Sequence, residues 1–93
     1  MNRLEYQERF KIIATIGFDL LQNHSLALRD RNVVFNMAML IAEAIGYYTY
    51  LDREDMPVTG APRALDNCKD RLLWVLRKLE DLGDRRNRER RGS

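Results

Sequence analysis

Four kinds of residue in this 93-residue chain have chemistry to offer: one glutamate in an apolar run, one histidine, one cysteine and a cluster of arginines. Glu43 is the only formal charge between Val33 and Leu51. A carboxylate buried there would have a raised pKa and would suit general acid work or pH sensing. Its helical neighbours give a plainer reading. At about 100° per residue Asn32, Asn36, Glu43, Tyr47 and Tyr50 share one narrow strip, which reads as a solvent-facing stripe on an otherwise apolar helix. His24 has neither a second histidine nor a nearby cysteine, and it falls where the first helix ends. There an imidazolium suits the helix dipole, so the expected role is a cap. Cys68 falls on an apolar seam and reads as a small buried hydrophobe, with Lys69 and Arg71 pointing elsewhere.

The carboxylates Asp52, Glu54 and Asp55 lack the alternating spacing of a calcium loop, and Arg53 interrupts them. They read as solvated charges past a helix end. A glycine-rich phosphate loop, a nucleophile elbow and a paired-histidine helix are all missing. A single cysteine forms no internal disulfide framework and no cysteine zinc site. The sequence therefore predicts no enzyme, no metal and no cofactor; a small helical enzyme using Glu43 is the least favoured alternative. The opening MNRLEYQERF lacks the apolar run of a signal peptide, which leads to an expectation of a cytoplasmic protein.

Charge is unevenly placed. The net charge is +2, but residues 84–93 hold five arginines against Asp84 and Glu89, or +3, which leaves about −1 for the body. Arg85, Arg86, Arg88, Arg90 and Arg91 would grip phosphates without sequence preference, so nucleic acid is the alternative partner. The body adds no basic face, because arginines and aspartates alternate along the third helix.

Chain periodicity supplies the frame for these residues. Tyr6, Phe10, Ile13, Ile16, Gly17, Leu20 and Leu21 predict a first helix from Arg3 to Gln22, with Gly17 a candidate close contact and Phe18 off the stripe. Asn23–Asp30 reads as a connection. Asp30 is the favoured cap of a second helix ending near Asp52, and Ser25 is an earlier alternative. Arg53–Pro62 contains Pro57, Gly60 and Pro62 and reads as a loop. Pro62 then opens a third helix with a seam of Leu65, Cys68, Leu72, Val75, Leu79 and Leu82, and Gly83 reads as its stop. The tail 84–93 is too charged to order alone.

These elements predict an all-α fold: one domain, 1–83, built as an antiparallel up-down-up three-helix bundle, followed by a basic disordered tail, 84–93. The second helix is apolar over roughly 240° of its circumference, more than two neighbours cover. A membrane span is disfavoured by central Glu43, by Asn36 and by charged flanks. The expected outlet is a homodimer through Val34, Met37, Ala38, Ile41, Ile45 and Tyr48. A second surface is expected around Trp74, off the seam of the third helix, with Leu73, Asp70, Arg77 and Lys78 as partner-binding residues; Trp and Arg are enriched in interface hot spots. The function expected from sequence is that of a non-enzymatic, self-associating protein-binding module of regulator, adaptor or inhibitor type.

Overall fold

Three helices in sequence order make up the computed structural model, which describes residues 1–92: α1 (Arg3–Asn23), α2 (Arg31–Leu51) and α3 (Ala61–Gly92), packed against one another. Each start has a stated cause. Asn2 caps α1 by accepting from the Glu5 N–H at 2.9 Å. Asp30 caps α2, its Oδ1 accepting from the N–H groups of Asn32 at 2.8 Å and Val33 at 3.2 Å. Asp30, not Ser25, is therefore the cap. Pro62 occupies the first turn of α3, where its missing N–H leaves no gap.

His24 is the C-cap of α1, as expected, with its N–H donating to the Leu20 carbonyl at 3.0 Å. Its ring acts differently from the expectation. Nδ1 accepts from the Leu26 N–H at 3.2 Å, so the ring holds the turn that follows the helix. This turn delivers Leu26 and Ala27 into the core, both buried.

The core has two clusters. Phe10, Ile13, Leu40, Ala44, Leu51, Leu65 and Cys68 pack in one, with Phe10 stacked on Tyr47 at 5.2 Å between ring centres. Leu26, Ala27, Val33, Met37, Val75 and Leu79 form the other. Between them α1 and α2 touch at Gly17, where an added Cβ would lie 2.8 Å from Ile41 Cγ1. Gln7, the one buried polar side chain among the described residues, donates to the Tyr48 carbonyl at 3.4 Å and to Asp52 Oδ1 at 3.3 Å.

Arg3 fastens the connection between α2 and α3. Its guanidinium donates to the carbonyls of Leu51 and Arg53, each at 3.1 Å, of Glu54 at 3.3 Å, and of Met56. The Leu51 carbonyl is one that the end of α2 leaves without an intrahelical partner, and the other three belong to the loop that follows. An arginine so close to the chain start gave no sign of this in the sequence.

Gly83 does not stop α3. The helix continues through it to Gly92, so the arginine-rich segment that the sequence presents as a disordered tail is helical; Ser93 lies outside the described residues. No glycine has a positive φ, so the left-handed cap that a stop requires is absent. Asp81 and Asp84 precede Arg85 and Arg88 by four residues, the favourable order for helical pairs, and Arg90 and Arg91 sit where the dipole favours cations. At 1.5 Å per residue α3 is about 48 Å long against about 31 Å for α1 and α2. It projects past them, and the molecule measures 60 × 19 × 18 Å.

Candidate protein interfaces

The rotation of α2 about its axis decides which residues face outward. Sequence reasoning placed Asn32, Asn36, Glu43, Tyr47 and Tyr50 on a solvent-facing strip. In the structure Asn32 is exposed but the other four are half-buried, and Asn36 and Glu43 meet α3. Arg71 brings this about: Nη1 donates to Asn36 Oδ1 at 2.8 Å and Nη2 to Glu43 Oε1 at 3.4 Å. Arg71 therefore points at the very carboxylate that sequence reasoning left in water.

With its polar strip turned to α3, α2 turns apolar surface to solvent. Phe35 is 62% exposed, Ile45 43%, Met39 36% and Tyr48 36%. Ala38, Ala42 and Gly46 are exposed between them. Nothing lies within 4 Å of where a Gly46 Cβ would be. Thr49 Oγ1 donates back to the Ile45 carbonyl at 2.9 Å, so the stripe makes no outward demand for a hydrogen bond at that point.

This face differs in part from the expected one. Met37 and Ile41 are buried, Met37 in the cluster of Val75 and Leu79, Ile41 against Gly17. Glycine at position 17 brings α1 close enough to cover them. Val34 is half-buried, while Ala38, Ile45 and Tyr48 are exposed. Phe35, Met39 and Ala42, which the sequence reading left out, complete the stripe. Their spacing with Ala38, Ile45 and Gly46 repeats every three and four residues, and that signal was readable. Near the start of α2, Leu28, Arg29, Arg31, Val34, Phe35 and Ala38 border an open hollow of about 640 Å³.

Trp74 is not the free-standing ring on the far side of α3 that its register suggested. It is half-buried, packed against the cluster of Leu26, Met37 and Val75, because α2 lies on the Arg71 side of α3. Lys78 Nζ stands 5.6 Å from the ring centre. Asp70, Leu73, Trp74 and Arg77 still border one hollow of about 290 Å³, and Leu73 is 53% exposed. A further polar groove between α2 and α3, about 390 Å³, runs past Asn36, Glu43, Asn67 and Arg71 to the edge of Trp74.

Cys68 lies beneath that groove. Its Sγ donates to Glu43 Oε2 at 3.9 Å. Burial first, and then the Glu43 carboxylate, push the thiol up to about 11, while Arg71 pulls the other way. A thiol held so firmly in its neutral form is a poor nucleophile. Glu43 lies between the Arg71 guanidinium and the Cys68 thiol. Asp55 is paired with Arg53 at 3.2 Å. Among the described residues no group of three metal-ligating side chains gathers, and no helix is long and apolar enough to cross a membrane.

The five arginines of the expected nucleic-acid alternative lie on the projecting end of α3. At 100° per residue Arg85, Arg88 and Arg91 fall within one arc of about 120° and Arg86 and Arg90 on another side, so the projecting end is a spike with two basic sides. No family model matches this chain, and neither does any curated protein or solved structure.

Proposed function

We propose that this chain is a non-enzymatic protein-binding module: an antiparallel up-down-up three-helix bundle that self-associates as a two-fold dimer and acts in the cytoplasm as a stoichiometric regulator or inhibitor of another protein. One observation carries the reading. The outer face of α2 leaves Phe35, Met39, Ile45 and Tyr48 between 36% and 62% exposed around three small residues, a contiguous apolar stripe on a small domain. Single exposed apolar residues are ordinary, but a run of them along one helix marks an interaction surface. Leu73 and Arg77, beside the exposed edge of Trp74, offer a second surface for a target.

Light scattering across a hundredfold range of concentration tests the proposal. The expected mass is twice the 11.0 kDa of one chain at the upper end. Ile45→Glu, at an exposed site, should return the mass to that of one chain with its helical signal intact. A single-chain mass at every concentration, or a dimer unaffected by Ile45→Glu and by Phe35→Glu, would refute it.

The continuation of α3 favours a second reading, in which the basic spike holds nucleic acid. Five arginines would give a slope of at most about −4.5 for log affinity against log salt on duplex DNA. Removal of residues 84–93 should abolish that slope.

A further inference from the structure

The exposed positions of α2 are symmetric about Ala42. Phe35 and Thr49, Ala38 and Gly46, and Met39 and Ile45 stand at equal distances on either side of it, and all are exposed. Any helix face has such symmetry of position; what is particular here is that small residues, Ala38, Ala42 and Gly46, fill its centre, so a second copy running in the opposite direction sets small residue over small residue. We propose that two copies of this chain pair through α2 with the helices antiparallel and the two-fold axis at Ala42. The arrangement rests on the self-association proposed above and adds direction and register to it.

In this pairing Ala42 meets Ala42 of the second copy, and Ala38 lies over its Gly46. Small residues at the crossing bring the helix axes close, since interaxial distance follows the side chains at the contact. Met39 then meets Ile45 on either side of the axis. Phe35 lies over Thr49, whose hydroxyl is already turned to its own helix. The hollow beside Val34 and Ala38 takes up Tyr48 of the second copy.

Charge selects the same direction. Arg29 and Arg31 flank the start of α2, and their guanidinium groups have no hydrogen-bond or ion-pair partner among the described residues. Past its other end come Asp52, Glu54 and Asp55, against an Arg53 that Asp55 already holds at 3.2 Å. The Glu54 carboxylate has no partner among the described residues. With the axis at Ala42, Arg29 of each copy comes level with Asp55 of the other, and the net +1 of Arg29, Asp30 and Arg31 lies over the net −2 of Asp52, Arg53, Glu54 and Asp55. Parallel copies would set arginine against arginine and acid against acid, and would align the helix dipoles unfavourably. The stripe and Leu28, 71% exposed at its end, offer on the order of 600 Å² per copy, the size of a small interface and below the roughly 800 Å² per partner of a standard one.

Cysteine cross-linking in a Cys68→Ser background tests direction and register. Three single variants, Ala42→Cys, Ala38→Cys and Gly46→Cys, are oxidised mildly and run without reductant, and the mass of each is measured in reductant. A disulfide needs Cα atoms within about 7 Å. Ala42→Cys should cross-link to itself. Ala38→Cys and Gly46→Cys should fail alone but cross-link when mixed. Self-cross-linking of Ala38→Cys and Gly46→Cys as fast as Ala42→Cys would show parallel helices and overturn the proposal. So would a dimeric mass in reductant with no cross-link at Ala42→Cys, since the dimer would then use another face; in both cases self-association survives. A single-chain mass for the unsubstituted protein at all concentrations would sink self-association itself, and this arrangement with it.

Discussion

Gly17→Ala changes sign according to what stands opposite it. On propensity alone, alanine inside a helix is worth about 1 kcal/mol over glycine. The new methyl, however, would lie 2.8 Å from Ile41 Cγ1 and 3.5 Å from its Cδ1, where carbon atoms settle at about 3.5–4.0 Å. Ile41 cannot swing aside cheaply, because a β-branched side chain in a helix has essentially one χ1 rotamer and Cγ1 is anchored next to the backbone. Overpacking of this kind costs about 1–3 kcal/mol. The substitution should therefore destabilise the protein by about 1 kcal/mol net. Ile41→Ala alone should cost about 2–5 kcal/mol. In that background the obstruction is gone, and Gly17→Ala should stabilise by about 1 kcal/mol. The coupling between the two sites is then about 2 kcal/mol. Urea denaturation followed by helical circular dichroism measures all four proteins, at one fixed chain concentration because self-association moves the midpoint. An equal gain of about 1 kcal/mol in both backgrounds would show that α1 and α2 do not meet at this point.

Two further outcomes follow from the site. The Cys68 thiol stands at about 11 in the folded chain against an ordinary 9.0, so the folded protein keeps a proton that the unfolded chain loses. Stability is then lost as pH rises from about 9 toward 11, by about 3 kcal/mol at most. Urea midpoints between pH 8 and pH 11 should fall more steeply for the unsubstituted protein than for Cys68→Ser; parallel curves would refute it. Trp74→Ala should cost about 2 kcal/mol, less than a fully buried tryptophan because the ring is half-exposed, whereas Lys78→Ala should cost under about 1 kcal/mol. A neutral Trp74→Ala would place the ring outside the core.

The sequence carried what depends on local chemistry. Asp30 before an apolar run, and Pro62 after Gly60, located the starts of α2 and α3, and the seam from Leu65 to Leu79 reached the core. The rotation of α2 was hidden because it depends on a partner 28 residues away, Arg71 reaching Glu43. An apolar arc of roughly 240° shows that some of it stays uncovered, but not which part. Met37 and Ile41 went inward and Phe35 and Met39 outward once Arg71 had claimed the polar strip. Gly83 misled for another reason. A glycine ends a helix when the chain turns left-handed there, and the aspartate–arginine spacing across it favours continuation instead.

Arg3 has a consequence for how the molecule assembles. Its four acceptors lie between Leu51 and Met56, so the latch and its catch are separated by some fifty residues of chain. Closing so wide a loop carries an entropic cost that only neighbouring contacts offset. The latch therefore belongs on the native side of the folding barrier, where it slows opening more than it speeds closing.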